Sequence, residues 1–528
     1  MEGTEEKGEM QEEQNDEELS ERVKCRIQQL KKEPKHFQFN LQGEDLRSLI
    51  KFLNENTCTF EKISFSDHIL QDEDGLLLET FESLSKNTTI RHVEFCDQPK
   101  IQETRKEVVE FLEKLPALEA ISFRFPKGGE EETLSGICNM VSTKSSIKML
   151  LFSGICLNQE NTNTLHQFIS TNKFVSQLTL EWDDRREKLT NQVPQLFKAL
   201  EKNSSIKEFH LKYLENIFTS KYRLKGFFHL HDNNTLHTLK FSSCKISSSS
   251  LKRLAEFLSR NKSVKLLDFF ECGKNFSPLL ESLKSNSSLE SLVLKSSLSG
   301  EEEKIAELIA ENSSLTFLEI SRNKISKAMV KIFHSLRKNK TLKTFISKST
   351  LWSSPEEKCV VGDVIRENCT LTEMDITSNV FRNEEIKDIV QALHHNSTLK
   401  VFAISELTKK ASMIASMIRA NNSLKTLNCP ESSFSHDECI IEALKDNCTL
   451  TSIKVCDLYN TIKDELSLNR KIEERDDQTK VNILILQKRK DGNIFSKVPR
   501  RLLVHLLSFL NKLWIDKTKL KESILMNK

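Results

Sequence analysis

The chain has 528 residues, 78 Lys and Arg against 76 Asp and Glu, a net charge of +2 and 38% hydrophobic residues. A charge this balanced supplies no global field to draw it onto nucleic acid or a membrane. No run of 18 apolar residues exists, so no transmembrane helix is expected, and the low apolar content suits an elongated repeat body better than one large globule.

Residues 1–33 open with nine acidic residues among the first twenty and almost nothing apolar. This reads as a solvated leader, with no apolar segment of a signal peptide, so a cytoplasmic setting is expected. The 13 cysteines are odd in number, run from Cys25 to Cys456 and form no C-x-x-C pair. They read as reduced thiols, mostly buried in the repeats, with no metal and no disulfide framework. Phe37, Phe39 and Leu41 alternate as a capping strand would, and Leu46, Leu49, Ile50 and Leu53 follow at helical spacing. The first regular strand is expected near Phe60 to Phe65.

From there one pattern recurs, clearest at Asn312–Ile320: an apolar residue, another three later and another five later. The lead residue falls at Phe60, Ile90, Leu118, Ile147, Val175, Ile206, Leu236, Val264, Leu289, Leu315, Leu342, Leu371, Leu399, Leu424 and Leu450, at intervals of 25 to 31 residues. Units this small cannot bury their own apolar face and must stack. Between strands the period becomes 3.6. Leu251, Leu254, Phe257 and Leu258 share a helix face, as do Ile386, Ile389, Val390 and Leu393. Ile305, Leu308 and Ile309 do the same, with Glu301, Glu302, Glu303 and Glu307 placed on the solvated side. Intervening helices make successive strands parallel, and helices, being wider, would curve the array with strands inside. The many Asn-x-Ser/Thr sequons, at Asn203, Asn286, Asn312 and Asn396 among others, coincide with the repeat. They are read as helix-ending residues whose side chains bond backbone groups, not as glycosylation sites.

Leu315, Leu318, Ile320 and Asn323, and Leu371, Met374, Ile376 and Asn379, fit the L-x-x-L-x-L-x-x-N pattern of leucine-rich repeats; Cys244 and Cys272 take the last position in their copies. With its long helix and period near 28, the chain resembles the ribonuclease-inhibitor-like class over residues 34–475. That resemblance implies an α/β horseshoe solenoid with parallel strands on the concave face and helices on the convex one. Ile155, Asp183, Leu214 and Leu407 depart from the ladder position, and Trp182 to Glu187 suggests a bulged loop. After Leu450, Ile453 and Val455, the segment with Ile462, Leu466 and Leu468 reads as a C-terminal cap.

Residues 476–528 differ. Val498, Pro499, Leu502, Leu503, Leu506, Leu507 and Leu510 resemble the first helix of an F-box, or a SOCS-box tail, at 494–510. The resemblance implies a ubiquitin-ligase adaptor as partner; the plain alternative is an amphipathic helix packed on the last repeats. No phosphate loop, dinucleotide fingerprint, nucleophile elbow or metal-spaced Cys/His cluster occurs, so no enzyme, catalytic residue or cofactor is expected. His394-His395 reads as a surface pair.

Surfaces remain. The strand residue between the two inward apolars points to the concave face. There and beside it stand Lys207, His210, His237, Lys240 and Lys265, then Asp268, Phe317, Glu319, Glu373 and Asp375. This passage from basic to acidic suits a protein partner better than uniform phosphate binding. Phe317, Phe270 and Trp182 are the candidate aromatic anchors, with local packing as the alternative for each. The expected function is a monomeric, non-catalytic protein-binding scaffold. The alternatives are a ligase substrate receptor and, from a similarity in period to the Ran GTPase-activating protein and tropomodulin, a GTPase or actin regulator.

Overall fold

The computed structural model describes residues 23–25, 36–39, 43–55, 60–65, 76–96, 105–125, 130–182 apart from 157, 192–213, 225–325 apart from 245, 274 and 299, 329–350, 355–405, 407, 411–432, 438–447, 449–455, 463, 466–467 and 469–470. They fall in two units, residues 1–289 and 290–528.

In the first unit strands and helices alternate as β1 (His36–Phe39), α1 (Gly43–Glu55), β2 (Lys62–Phe65), α2 (Leu76–Ser85), β3 (His92–Phe95), α3 (Arg105–Lys114), β4 (Ala120–Arg124), α4 (Glu130–Thr143), β5 (Met149–Ile155), α5 (Gln159–Thr171), β6 (Gln177–Trp182), α6 (Gln192–Lys202), β7 (Glu208–Lys212), a 3-10 turn (Lys225–Leu230), β8 (Thr238–Ser242), α7 (Ser248–Arg260), β9 (Leu266–Phe270) and α8 (Ser277–Leu283). The second unit continues with β10 (Ser291–Lys295), α9 (Glu302–Glu311), β11 (Phe317–Glu319), α10 (Met329–Lys338), β12 (Thr344–Ile346), α11 (Pro355–Glu367), β13 (Glu373–Asp375), α12 (Asn383–His395), β14 (Val401–Ala403), α13 (Ala411–Ala420), β15 (Thr426–Asn428), α14 (Glu438–Asp446) and β16 (Ser452–Lys454). Within each unit every strand pairs in parallel with its neighbours in chain order. There is one strand for each copy of the repeat, plus the capping strand. No helix among the described residues is long and apolar enough to cross a membrane.

The repeat explains the layers. In β8 the lead Leu236, then Leu239 and Phe241, are fully buried. The residues between them, Thr238, Lys240 and Ser242, are half-exposed on the other face. Helices cover the apolar face with their own stripe: Leu251, Leu254, Phe257 and Leu258 in α7, and Ile386, Ile389, Val390 and Leu393 in α12, are all buried. Just past the strand a left-handed residue recurs: Ser243, Glu271, Ser296, Arg322, Ser349 and Ser378 have φ between 50° and 60°. The chain turns away there while the amide still donates onward, Ser243 N to Phe270 O at 2.7 Å and Arg322 N to Lys348 O at 2.7 Å.

The sequon asparagines are internal wiring. Asn203 Nδ2 donates to Ile169 O (2.7 Å) and Asn172 O (3.1 Å), while its Oδ1 accepts from the amides of Ser205 and Ile206. Asn233, Asn368, Asn421 and Asn447 repeat that set. One side chain thus satisfies carbonyls left open at the end of the preceding helix and two amides of its own turn. Earlier, Lys144 takes the asparagine's place. Its Nζ donates to Leu112 O, Glu113 O and Leu115 O, and burial lowers its pKa against the opposing pull of Glu113.

A second ladder runs after the strands. Asn323 Nδ2 donates to Leu294 O and Ile320 O, and its Oδ1 accepts from the amides of Ser297 and Leu298. Cys244 and Cys272 donate their thiols to Leu211 O and Phe241 O in the same role. Nine cysteines of the described residues are free thiols, four of them buried, at Cys138, Cys244, Cys272 and Cys429.

Two expectations need correction. Glu301 and Glu302 are buried, at 4% and 7% exposure, at the start of α9 directly after Gly300, whose φ is 87°; Glu303 is exposed as expected. Trp182 closes β6 opposite Ile155 across a register shift and is 2% exposed, so it is core and not an anchor. Ile155 and Leu407, out of the ladder pattern in sequence, are buried, and the register shifts at Ile155 as a departure from the pattern would have it. Asp183, Leu214, the rest of the loop to Glu187, the leader to residue 22, the cap residues Ile462 and Leu468, and the tail at 476–528 lie outside the described residues.

Candidate interaction face

The strand face away from the helices carries side chains in aligned rows. In the first unit the middle row is Ser64, Glu94, Ser122, Leu151, Thr179, His210, Lys240 and Asp268, each the register partner of the next. In the second it is Val293, Glu319, Ile346, Asp375, Ala403, Asn428 and Lys454. Phe317 and Glu373 stand in the flanking row, both half-exposed. His210, Lys240, Asp268, Glu319 and Asp375 therefore share the face, as the period-2 reading expects. Lys207, His237 and Lys265 do not lie within a strand. Each precedes the first strand residue and belongs to the edge where strands begin.

The charges on this face are paired across neighbouring strands. Lys62 meets Glu94 at 2.8 Å, Lys212 meets Glu181 at 3.5 Å, and Lys240 meets Glu208 at 2.6 Å. In the second unit Lys295 meets Glu319 at 3.0 Å and Lys348 meets Asp375 at 2.8 Å. Hydroxyls complete the carboxylates: Ser64 on Glu94, Ser153 on Glu181, Ser321 on Glu319 and Thr377 on Asp375, at 2.7–3.0 Å. Burial would raise the Glu94 pKa, but the bonds from Lys62 and Ser64 hold it below the usual range.

His210 does not add positive charge. Burial first, then the nearby Lys212 and Lys240, push its pKa down to about 3, and its Nε2 sits 2.9 Å from Ser242 Oγ. At neutral pH the expected basic patch thus holds a neutral imidazole beside Lys212 and Lys240, both of which already have carboxylate partners. The residues missed from sequence are these partners: Glu181, Glu208, Lys212, Lys295 and Lys348. Their signal was the same period 2, read one step further along each strand.

On the helix side of the second unit, a cleft of about 480 Å³ is lined by Arg366, Val390, Gln391, His394 and Met413 among others. Its one guanidinium, Arg366, is held by Asp363 and Asp388. His394 and His395 lie with ring centroids 4.7 Å apart, the first half-buried and the second exposed. No group of three His, Cys, Asp or Glu side chains that could hold a metal occurs among the described residues. Val498, Pro499, Leu502, Leu503, Leu506, Leu507 and Leu510 fall outside them.

No protein-family model and no curated protein matches this chain. Among solved structures it is similar to one described as leiomodin-1 actin-binding site 2, at 17% identity and a TM-score of 0.24, over 35% of this chain and 97% of that one.

Proposed function

We propose that the chain is a non-catalytic scaffold that binds a partner protein on its strand face, on an array of the leucine-rich, ribonuclease-inhibitor-like kind. The observation that carries this is the set of cross-strand pairs. Lysines and carboxylates are fixed before any partner arrives, with hydroxyls holding the remaining lone pairs. A pre-set polar surface loses little side-chain freedom on docking, and its alternating signs select partner and register more than they add raw affinity. Half-exposed Phe317 and Phe270 offer apolar contact area beside the charges.

The test is affinity capture from cell extract with the full chain and with Lys240→Glu and Phe270→Ala variants, both in the first unit, read by mass spectrometry. A common set of partners lost from both variants, with melting temperature unchanged, supports this reading. An unchanged partner list from folded variants overturns it.

A further inference from the structure

The near-zero net charge hides a segregated one. In the first unit, one residue ahead of β5 to β9, stand Lys148, Ser176, Lys207, His237 and Lys265. Next to the asparagine rungs of the same edge stand Lys173, Lys202, Arg260 and Lys262, all exposed. Lys173, Lys202, Lys207 and Arg260 have no carboxylate partner among the described residues. Of the acids nearby, Glu201 is already engaged by His229 Nδ1 at 3.1 Å, and exposed Asp232, beside the Asn233 rung, is an acid set among these cations.

Helix dipoles favour cations in a last helical turn, which accounts for Lys202 and Arg260. It does not account for Lys148, Lys207 and Lys265, which follow the lead apolar residue, or for Lys173 and Lys262, which follow the rung asparagine. Parallel strands lie about 4.8 Å apart, so β5 to β9 spans roughly 19 Å and the charges reinforce one another within a Debye length of about 8–10 Å.

The chain carries its own counterpart: nine of its first twenty residues are Asp or Glu and one is Lys. We propose that this acidic leader docks along the basic edge at β5 to β9. Reach is sufficient, since 22 residues extend to roughly 70 Å, while β1 to β7 is six strand spacings, about 29 Å. Tethering gives the leader an effective concentration on the order of millimolar, ahead of an acidic segment from another protein. The contact is electrostatic and loosens with salt.

The test couples carboxylates to amines with a zero-length carbodiimide in the full chain at low salt, using an equal mixture of unlabelled and ¹⁵N-labelled protein. The expected result is leader peptides joined to Lys173, Lys202 or Lys207 within one isotopic form, reduced several-fold at 0.5 M salt. A Lys173→Gln, Lys207→Gln, Lys262→Gln variant should also let a Glu-specific protease clip the leader several-fold faster. No leader links, or links spread equally over lysines of the second unit, overturn the proposal. Links only between isotopic forms overturn the assignment within one chain. Retention of a duplex oligonucleotide by the full chain, lost in the triple variant, would assign the edge to nucleic acid instead.

Discussion

The two units carry the same repeat and fill it differently. In the first, the third apolar position is Phe65, Phe95, Phe123, Phe152, Phe241 and Phe269, with Leu180 and Leu211 between them, and rings touch from repeat to repeat where phenylalanines are neighbours, Phe65 to Phe95 at 5.1 Å and Phe241 to Phe269 at 5.4 Å. Its strands run four to seven residues, and its face carboxylates are half-exposed. In the second, that position holds Leu294, Ile320, Ile376 and Ile404, with Ser347, Cys429 and Val455 in the other repeats and no phenylalanine, and strands after β10 shrink to three residues. There Glu319 and Asp375 are 8% and 6% exposed beside buried Val293 and Ala403. The asparagine rung is common to both. The backbone solution is therefore set by polar wiring, while the apolar filling and the depth of the face charges vary freely around it.

Four substitutions probe that contrast. Phe95→Ala removes a ring stacked in a column and should cost about 3–5 kcal/mol, read by denaturant unfolding. An Ile376→Val change in the second unit should cost only about 1 kcal/mol. Lys348→Ala leaves the carboxylate of Asp375 nearly buried with only Thr377 to hold it, so a loss of about 2 kcal/mol or more is expected. Lys240→Ala, whose partner Glu208 can turn to water, should cost under about 1 kcal/mol. Equal costs for the two lysines would remove the distinction between the faces.

Gly154 has φ +75°, and a Cβ there would lie 2.5 Å from Phe125 O. Gly154→Ala should therefore cost about 1–3 kcal/mol, since backbone cannot yield as a side chain can.

The pH response should be smaller and confined to the first unit. An unfolded histidine titrates near the usual 6.5, the folded His210 near 3. Between those values the unfolded state holds a proton that the folded one lacks. The stabilising neutral form is thus fully present above about pH 6.5 and lost progressively as pH falls toward 3. Melting temperatures of the wild type and His210→Gln at pH 7 and pH 5 check this. The wild type should lose more between them, and parallel losses would contradict it.

The period alone placed every strand from β2 to β16 and the row of face residues from Ser64 to Lys454. It did so because burial acts on alternate strand positions, and alternation is visible in the letters. It could not place Lys207, His237 and Lys265, which sit one residue outside the strands, where side-chain direction depends on the turn. It offered Trp182 as an anchor or as local packing, since an aromatic serves either, and only the structure, with its register shift opposite Ile155 and 2% exposure, makes it core. The neutrality of His210 was also invisible, since it follows from burial and from Lys212 and Lys240 converging in space.

The central structural claim is that the repeated asparagine is a backbone-bonding rung and not a surface signal. Asn368→Asp tests it most directly. The shape is nearly unchanged and the acceptor oxygen for Thr370 and Leu371 remains, but the donor to Leu336 O and Asn339 O is gone. With two carbonyls left open beside a carboxylate, unfolding at neutral pH should show a loss of about 3 kcal/mol or more, partly recovered at acidic pH where the side chain regains a proton. A melting temperature equal to the wild type at pH 7 would contradict it.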